Sequence, residues 1–83
     1  MNLTVRYFAS IREALGPVET IEAPVASTVG SVRDALIGRG GPHATALARG
    51  KALRTALNQV LCDESAVVQE GAELAFFPPV TGG

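Results

Sequence analysis

The stretch Phe76-Phe77-Pro78-Pro79-Val80-Thr81-Gly82-Gly83 decides how the rest of the chain is read. Proline lacks a backbone N–H, fixes its own φ and restricts the residue before it, so Pro78-Pro79 ends any strand running through Phe77. From Pro78 onward the chain can reach about 20 Å at about 3.3 Å per residue, with a stiff, extended start. Gly82 and Gly83 have no side chains and can pass a narrow channel to deliver a free α-carboxylate, the reactive group of this segment. The expectation is a domain over residues 1–77 followed by a flexible C-terminal tail over residues 78–83. The octet by itself leaves open an ordinary frayed terminus of small residues.

Working outward, 83 residues suffice for one domain that buries only about 60% of its unfolded surface. An apolar fraction of 47% with 18% charged residues is that of a globular protein and argues against disorder. A net charge of −1 with only seven scattered Lys and Arg argues against nucleic acid as a partner. No apolar run approaches the roughly 20 residues of a membrane span, and the N-terminus has no basic-then-apolar segment, so a cytoplasmic protein is expected. The single cysteine, Cys62, cannot form an internal disulfide, in keeping with a reducing compartment.

Strands and helices follow from the periodicities. Leu3, Val5 and Tyr7 alternate with Thr4, Arg6 and Phe8, which predicts a strand with Tyr7 facing a core and Phe8 facing out. Ser10 followed by Glu13 has capping-box spacing and predicts a short helix stopped by Gly16-Pro17. Val18–Ala23 reads as a second, less regular strand. Ser27 or Thr28 is placed to cap a helix whose Val29, Val32 and Leu36 form one apolar stripe, with Arg33 and Asp34 facing water and Gly38 stopping it. Pro42 suits the first position of another helical turn over residues 43–49. Leu53, Thr55 and Leu57 predict a third strand, reversed at Asn58-Gln59 into a short fourth, Val60-Leu61-Cys62. After turns at residues 63–65 and 69–71, Leu74 and Phe76 point inward along the final strand and Phe77 outward, beside the root of the tail. An outward Phe77 together with Phe8 hints at an apolar patch.

Several motifs invite comparison with chemistry of their own. The segment Gly38-Arg39-Gly40-Gly41-Pro42 fails as a dinucleotide fingerprint, because His43 stands where a third glycine belongs and a helix precedes it. Gly50-Lys51 fails as a phosphate loop, with Thr45 and Ala52 at the positions that need Gly and Ser or Thr. A lone His43 lacks companion ligands for a metal and is expected on the solvated surface, while Cys62 is expected to act as a small hydrophobe. Glu13, Asp34, Glu64 and Glu70 show no pairing that acid–base catalysis would need and are read as solvated. A strand, short helix, strand, helix and further short strands fit an α+β domain with one main helix packed on a mixed sheet.

Val5-Arg6-Tyr7-Phe8-Ala9, Arg12-Glu13, Leu57-Asn58-Gln59 and above all Ala75 through Gly83 resemble the family of small, sulfur-carrying molybdopterin synthase subunits, which have the ubiquitin-like β-grasp fold. The likeness runs the whole length, and Gly71-Ala72-Glu73 departs from the Gly-Asp-Glu common before the last strand. The resemblance implies a mixed sheet of four to five strands, one main helix, short extra helices, and first and last strands parallel at the sheet centre. It also implies that Phe8, Leu61 and Phe77 dock a large synthase subunit, in a heterotetramer of two small and two large chains. Gly83 would be adenylated with ATP by an activating enzyme and converted to a thiocarboxylate. Pro78, Pro79, Val80, Thr81 and Gly82 would then thread it into the large subunit, where its sulfur builds the dithiolene of molybdopterin. No cofactor would be held tightly and no self-contained active site is expected. A carrier for another pathway, such as the thiamine one, a ubiquitin-like modifier, and a plain binding module with an inert tail are the alternatives.

Overall fold

The alternation of Leu3, Val5 and Tyr7 buries all three on one face of β1 (Asn2–Tyr7), and Leu74 and Phe76 do the same for β5 (Glu73–Phe77). This is a computed structural model, and it describes residues 1–79. Val80, Thr81, Gly82 and Gly83 lie outside the described residues, and with them the expectation of a flexible tail.

The strands form one five-stranded sheet in the order β2-β1-β5-β3-β4, with β2 at Val18–Glu22, β3 at Arg54–Leu57 and β4 at Val60–Cys62. β1 and β5 run parallel at its centre, with Val5 opposite Leu74 and Tyr7 opposite Phe76, and the other pairings are antiparallel. This is the mixed β-grasp sheet that the resemblance implied. Among the described residues three helices complete the fold: α1 (Ala9–Leu15), α2 (Val29–Ile37) and α3 (Gly41–Ala46). Val29, Val32 and Leu36 of α2 join Leu3, Val5, Tyr7, Ile21, Leu47, Leu74 and Phe76 in a single core.

Local chemistry accounts for several joints. Thr28 caps α2: its hydroxyl accepts from the Ser31 N–H at 3.1 Å, and the Ser31 hydroxyl accepts from the Thr28 N–H at 2.9 Å. Asn58 and Gln59 both have positive φ, 49° and 68°, the left-handed pair whose twist matches a two-residue hairpin between Leu57 and Val60. Asn58 also anchors the hairpin to β5, donating its N–H to the Glu73 carbonyl and accepting the Glu73 N–H on its side chain.

Four expectations are corrected. The Ser10–Glu13 capping box does not form: Phe8 occupies the cap position of α1 without a side-chain bond, and Ser10 lies inside the helix. Arg33 does not face water but is 2% exposed, because it turns under α2 to reach the carbonyls of a distant loop. The helical turn begins at Gly41 rather than His43, with Pro42 as its second residue. Finally, His43 is not a free surface group but is hydrogen-bonded to Glu19.

Candidate functional site

The parallel pairing of β1 with β5 brings the two strands to the same end of the molecule. Tyr7 and Phe76 stack on the inner face, with ring centroids 6.3 Å apart and planes 15° from parallel. One residue further on, Phe8 and Phe77 stack on the outer face at 4.5 Å and 8°. The Phe8 N–H donates to the Phe76 carbonyl at 3.3 Å, extending the ladder by one bond past the last residue of β1. Pro78 is half-buried at this end and Pro79 is exposed.

The outer face continues away from the stack in small residues. Ala75 of β5 pairs with Ala56 of β3, both buried, and Ala56 pairs in turn with Leu61 of the edge strand β4. Leu61 is 66% exposed. Phe8, Phe77 and Leu61 thus share one sheet face, with a flat alanine floor between the aromatic pair and the leucine. Leu61 is exposed and Phe8 and Phe77 are half-buried, and accessible apolar residues gathered on one face, rather than scattered, mark a surface that a partner covers. Arg54 stands directly beside Phe77 across the β3–β5 ladder and is exposed.

Two polar clusters escaped the sequence reading. Glu19 on β2 accepts from the Tyr7 hydroxyl at 2.7 Å and from Arg39 at 2.6 Å, and lies 2.8 Å from His43 Nε2. Burial opposes its ionisation, but the hydrogen bonds from His43, Tyr7 and Arg39 outweigh burial and lower its pKa to about 2. Burial, reinforced by the Glu19 carboxylate, holds the Tyr7 phenol well above its usual range. The available signal was that Glu19 shares a strand face with Ile21 and so points inward, where a carboxylate requires donors. In the second cluster Arg33 donates to the carbonyls of Leu47, Ala48 and Lys51 and to Glu64, while Arg49 bridges Asp34, Glu64 and the Gly30 carbonyl. Asp34 and Glu64 are therefore paired rather than simply solvated, and the Arg49 hydrogen bond lowers the Asp34 pKa.

Both clusters are internally satisfied, and among the described residues no buried side-chain nitrogen or oxygen lacks a partner. Among these residues, likewise, no three His, Cys, Asp or Glu side chains stand together as metal ligands, and no helix is long and apolar enough to cross a membrane. Cys62 is half-buried against the core with its sulfur 3.7 Å from the Thr55 hydroxyl, a packing role. The feature with functional character is the apolar face at the point where the C-terminal segment leaves the sheet.

Such a sheet, with a C-terminal segment issuing from its central strand beside an apolar face, is that of a ubiquitin-like β-grasp protein. The chain belongs to the ThiS family, which matches residues 5–83. It is 44% identical to the molybdopterin synthase sulfur carrier subunit of Haemophilus influenzae, over 98% of this chain and 99% of that one. Among solved structures, SAMP1 from Haloferax volcanii, a small archaeal modifier protein, is 27% identical and superposes with a TM-score of 0.79 over the whole of both chains. A complex of subunits 1 and 2 of the molybdopterin-converting factor from Helicobacter pylori contains a chain 26% identical, TM-score 0.69, again over all of both chains.

Proposed function

We propose that this protein is a sulfur carrier for molybdenum cofactor biosynthesis, and that its partner is the large subunit of molybdopterin synthase. The observation that carries the reading is the Phe8–Phe77 stack at the root of a Pro-Pro-Val-Thr-Gly-Gly segment, in a chain similar over nearly its full length to a synthase sulfur carrier subunit. The Helicobacter pylori complex supports a two-subunit partnership. Phe8, Phe77 and Leu61 are the contacts this chain offers. Two small and two large subunits would make up the synthase, in the cytoplasm.

The chemistry resides in Gly83. A terminal carboxylate with a pKa near 3.5 is ionised at neutral pH and a poor electrophile, so it has to be activated. A separate activating enzyme would join Gly83 to AMP from ATP, releasing pyrophosphate. A persulfide would then displace AMP, and a thiol would reduce the resulting acyl disulfide to leave the thiocarboxylate. In the large subunit this sulfur would attack a carbon of the pterin precursor and displace an oxygen substituent from it, which leaves carrying a proton. Water would cleave the acyl C–S bond, leaving the sulfur on the pterin and restoring the Gly83 carboxylate. No described residue of this chain is needed as acid, base or nucleophile; those groups would come from the partner.

The test is the intact mass of the protein after expression with an activating enzyme and a persulfide donor. Replacement of one C-terminal oxygen by sulfur is expected, and no change where a known carrier reacts would overturn the reading. The likeness to SAMP1 favours a second reading, a modifier joined to lysines of other proteins. Binding to the large synthase subunit, without lysine-linked conjugates, separates the first from the second.

A further inference from the structure

We propose that Arg54 is a specificity-determining residue of the docking face: it pairs with a carboxylate side chain of the large synthase subunit, and so selects a partner whose apolar surface carries an acid beside its contact with Phe77. This role rests on the carrier reading above and adds to it the charge that the partner must present.

Three observations point to Arg54. First, in the β3–β5 ladder it lies directly opposite Phe77, as Ala56 lies opposite Ala75, so its side chain leaves the sheet on the face that carries the Phe8–Phe77 stack. Directly opposite residues of an antiparallel pair have Cβ atoms about 4.5–5.5 Å apart. Whatever covers Phe77 therefore meets Arg54 as well. Secondly, its charge is uncommitted. Arg6 holds Glu73, Arg33 holds Glu64, Arg39 holds Glu19, and Arg49 holds both Asp34 and Glu64. The arginines left without a carboxylate among the described residues are Arg12 and Arg54, and both are exposed. Both also border the stack, for Arg12 follows Phe8 by one helical turn and donates its N–H to the Phe8 carbonyl at 3.3 Å. Thirdly, the acid that register would bring to Arg54 is turned away. Continuing the Thr55–Cys62 pairing by one position sets Asp63 across from Arg54, yet the Asp63 carboxylate accepts from the Ser65 N–H and hydroxyl. On the next row of the same face Arg6, opposite Ala75, is drawn to Glu73 at 3.2 Å, so the free cation stands in the row of the stack itself.

A guanidinium presents a planar fork of donors whose geometry matches a carboxylate. In the free protein water satisfies that fork. Once an apolar surface closes over Phe77 part of this water is lost, and a cation left without an acceptor opposes binding. A partner with an acid at this spot restores the bonds, whereas one with an apolar or basic residue there incurs desolvation or repulsion. Phe8, Phe77 and Leu61 would hold to many apolar surfaces; Arg54 discriminates among them.

The test measures binding of wild type, Arg54→Gln, Arg54→Glu and, as a control for net charge, Arg39→Gln to the large synthase subunit of the same organism. Association and dissociation rates are read at about 0.05 M and about 1 M salt, between which the screening length falls from above about 10 Å to about 3 Å. At the lower salt Arg54→Gln is expected to bind about fivefold more weakly than wild type and Arg54→Glu about thirtyfold, chiefly through slower association. At the higher salt Arg54→Gln should lie within about twofold of wild type, and Arg39→Gln should stay within about twofold at both. Wild-type binding by Arg54→Glu at the lower salt would overturn the proposal. So would a loss in Arg39→Gln as large as that in Arg54→Gln, which would reduce the effect to net charge. A loss of sulfur loading by the activating enzyme in Arg54→Gln, with binding to the large subunit intact, would assign the cation to the other partner and overturn it too. Thermal melts confirm that each variant is folded. If wild type itself does not bind the large subunit, the carrier reading fails first, irrespective of Arg54.

Discussion

Replacing Arg33 by methionine removes a guanidinium while keeping most of its apolar stem, and its cost can be worked out contact by contact. Arg33 is 2% exposed and donates to Leu47 O at 2.8 Å, Ala48 O at 2.6 Å, Lys51 O at 3.0 Å and Glu64 at 2.8 Å. Leu47 is fully buried, so its orphaned carbonyl costs about 1–3 kcal/mol. Ala48 is half-buried and Lys51 exposed, so water recovers most of theirs, leaving up to about 1 kcal/mol together. Glu64 keeps Arg49 and contributes about 0.5 kcal/mol as a part-exposed pair. The total is about 3 kcal/mol. In a domain of this size, with about 4–8 °C per kcal/mol, the melting temperature should fall by about 12–24 °C. Urea titrations with an unchanged slope would measure it. Arg33→Lys, which keeps the charge but loses the planar fork, should recover less than half. A loss below about 1 kcal/mol in Arg33→Met would refute the view that this side chain pins residues 47–51 beneath α2.

Glu19 gives a pH dependence. Its folded pKa of about 2 lies below the ordinary 4.5, so its contribution is present above the ordinary value and fades as pH falls towards 2. After discounting for solvent screening, the stability gap between wild type and Glu19→Gln should be about 1 kcal/mol at pH 6 and shrink steadily below pH 4.5; a gap constant from pH 6 to pH 3 would refute this. Gln59→Gly relieves a left-handed φ of 68° and should raise stability by about 0.5–1 kcal/mol in chemical denaturation. Phe77→Asp should weaken binding to the large synthase subunit at least tenfold in calorimetry with a much smaller effect on melting; unfolding would place its ring in the core instead. Deleting Gly83 should abolish sulfur loading, read by intact mass, while leaving the melting temperature nearly unchanged.

Legibility in the sequence followed the range of the interaction. The inward residues of β1 and β5, the Thr28 cap and the Asn58-Gln59 reversal were readable because each depends on neighbours a few positions away. The central parallel pairing of β1 with β5 came from family likeness, since nothing local relates Tyr7 to Phe76 across the chain. Arg33 was misread for the same reason: beside Asp34 it lies on the polar side of α2, yet its partners Leu47, Ala48, Lys51 and Glu64 lie 14 to 31 residues away. Its long stem allows the head to leave the face on which its Cα sits. His43 and Glu19 were likewise defined by each other. Of the candidate site, the outward faces of Phe8 and Phe77 were legible from alternation, but their near-parallel stack depends on a register that only the fold supplies.

The placement of β5 has a consequence for biosynthesis. The ribosome makes Glu73–Phe77 after every other strand, yet the sheet needs it between β1 and β3 before either edge has support. Without β5 the β2-β1 and β3-β4 pairs share no ladder, so a chain ending before Glu73 is expected to be more open to proteolysis than the whole domain, a cost of truncation that falls on the last strand to be made.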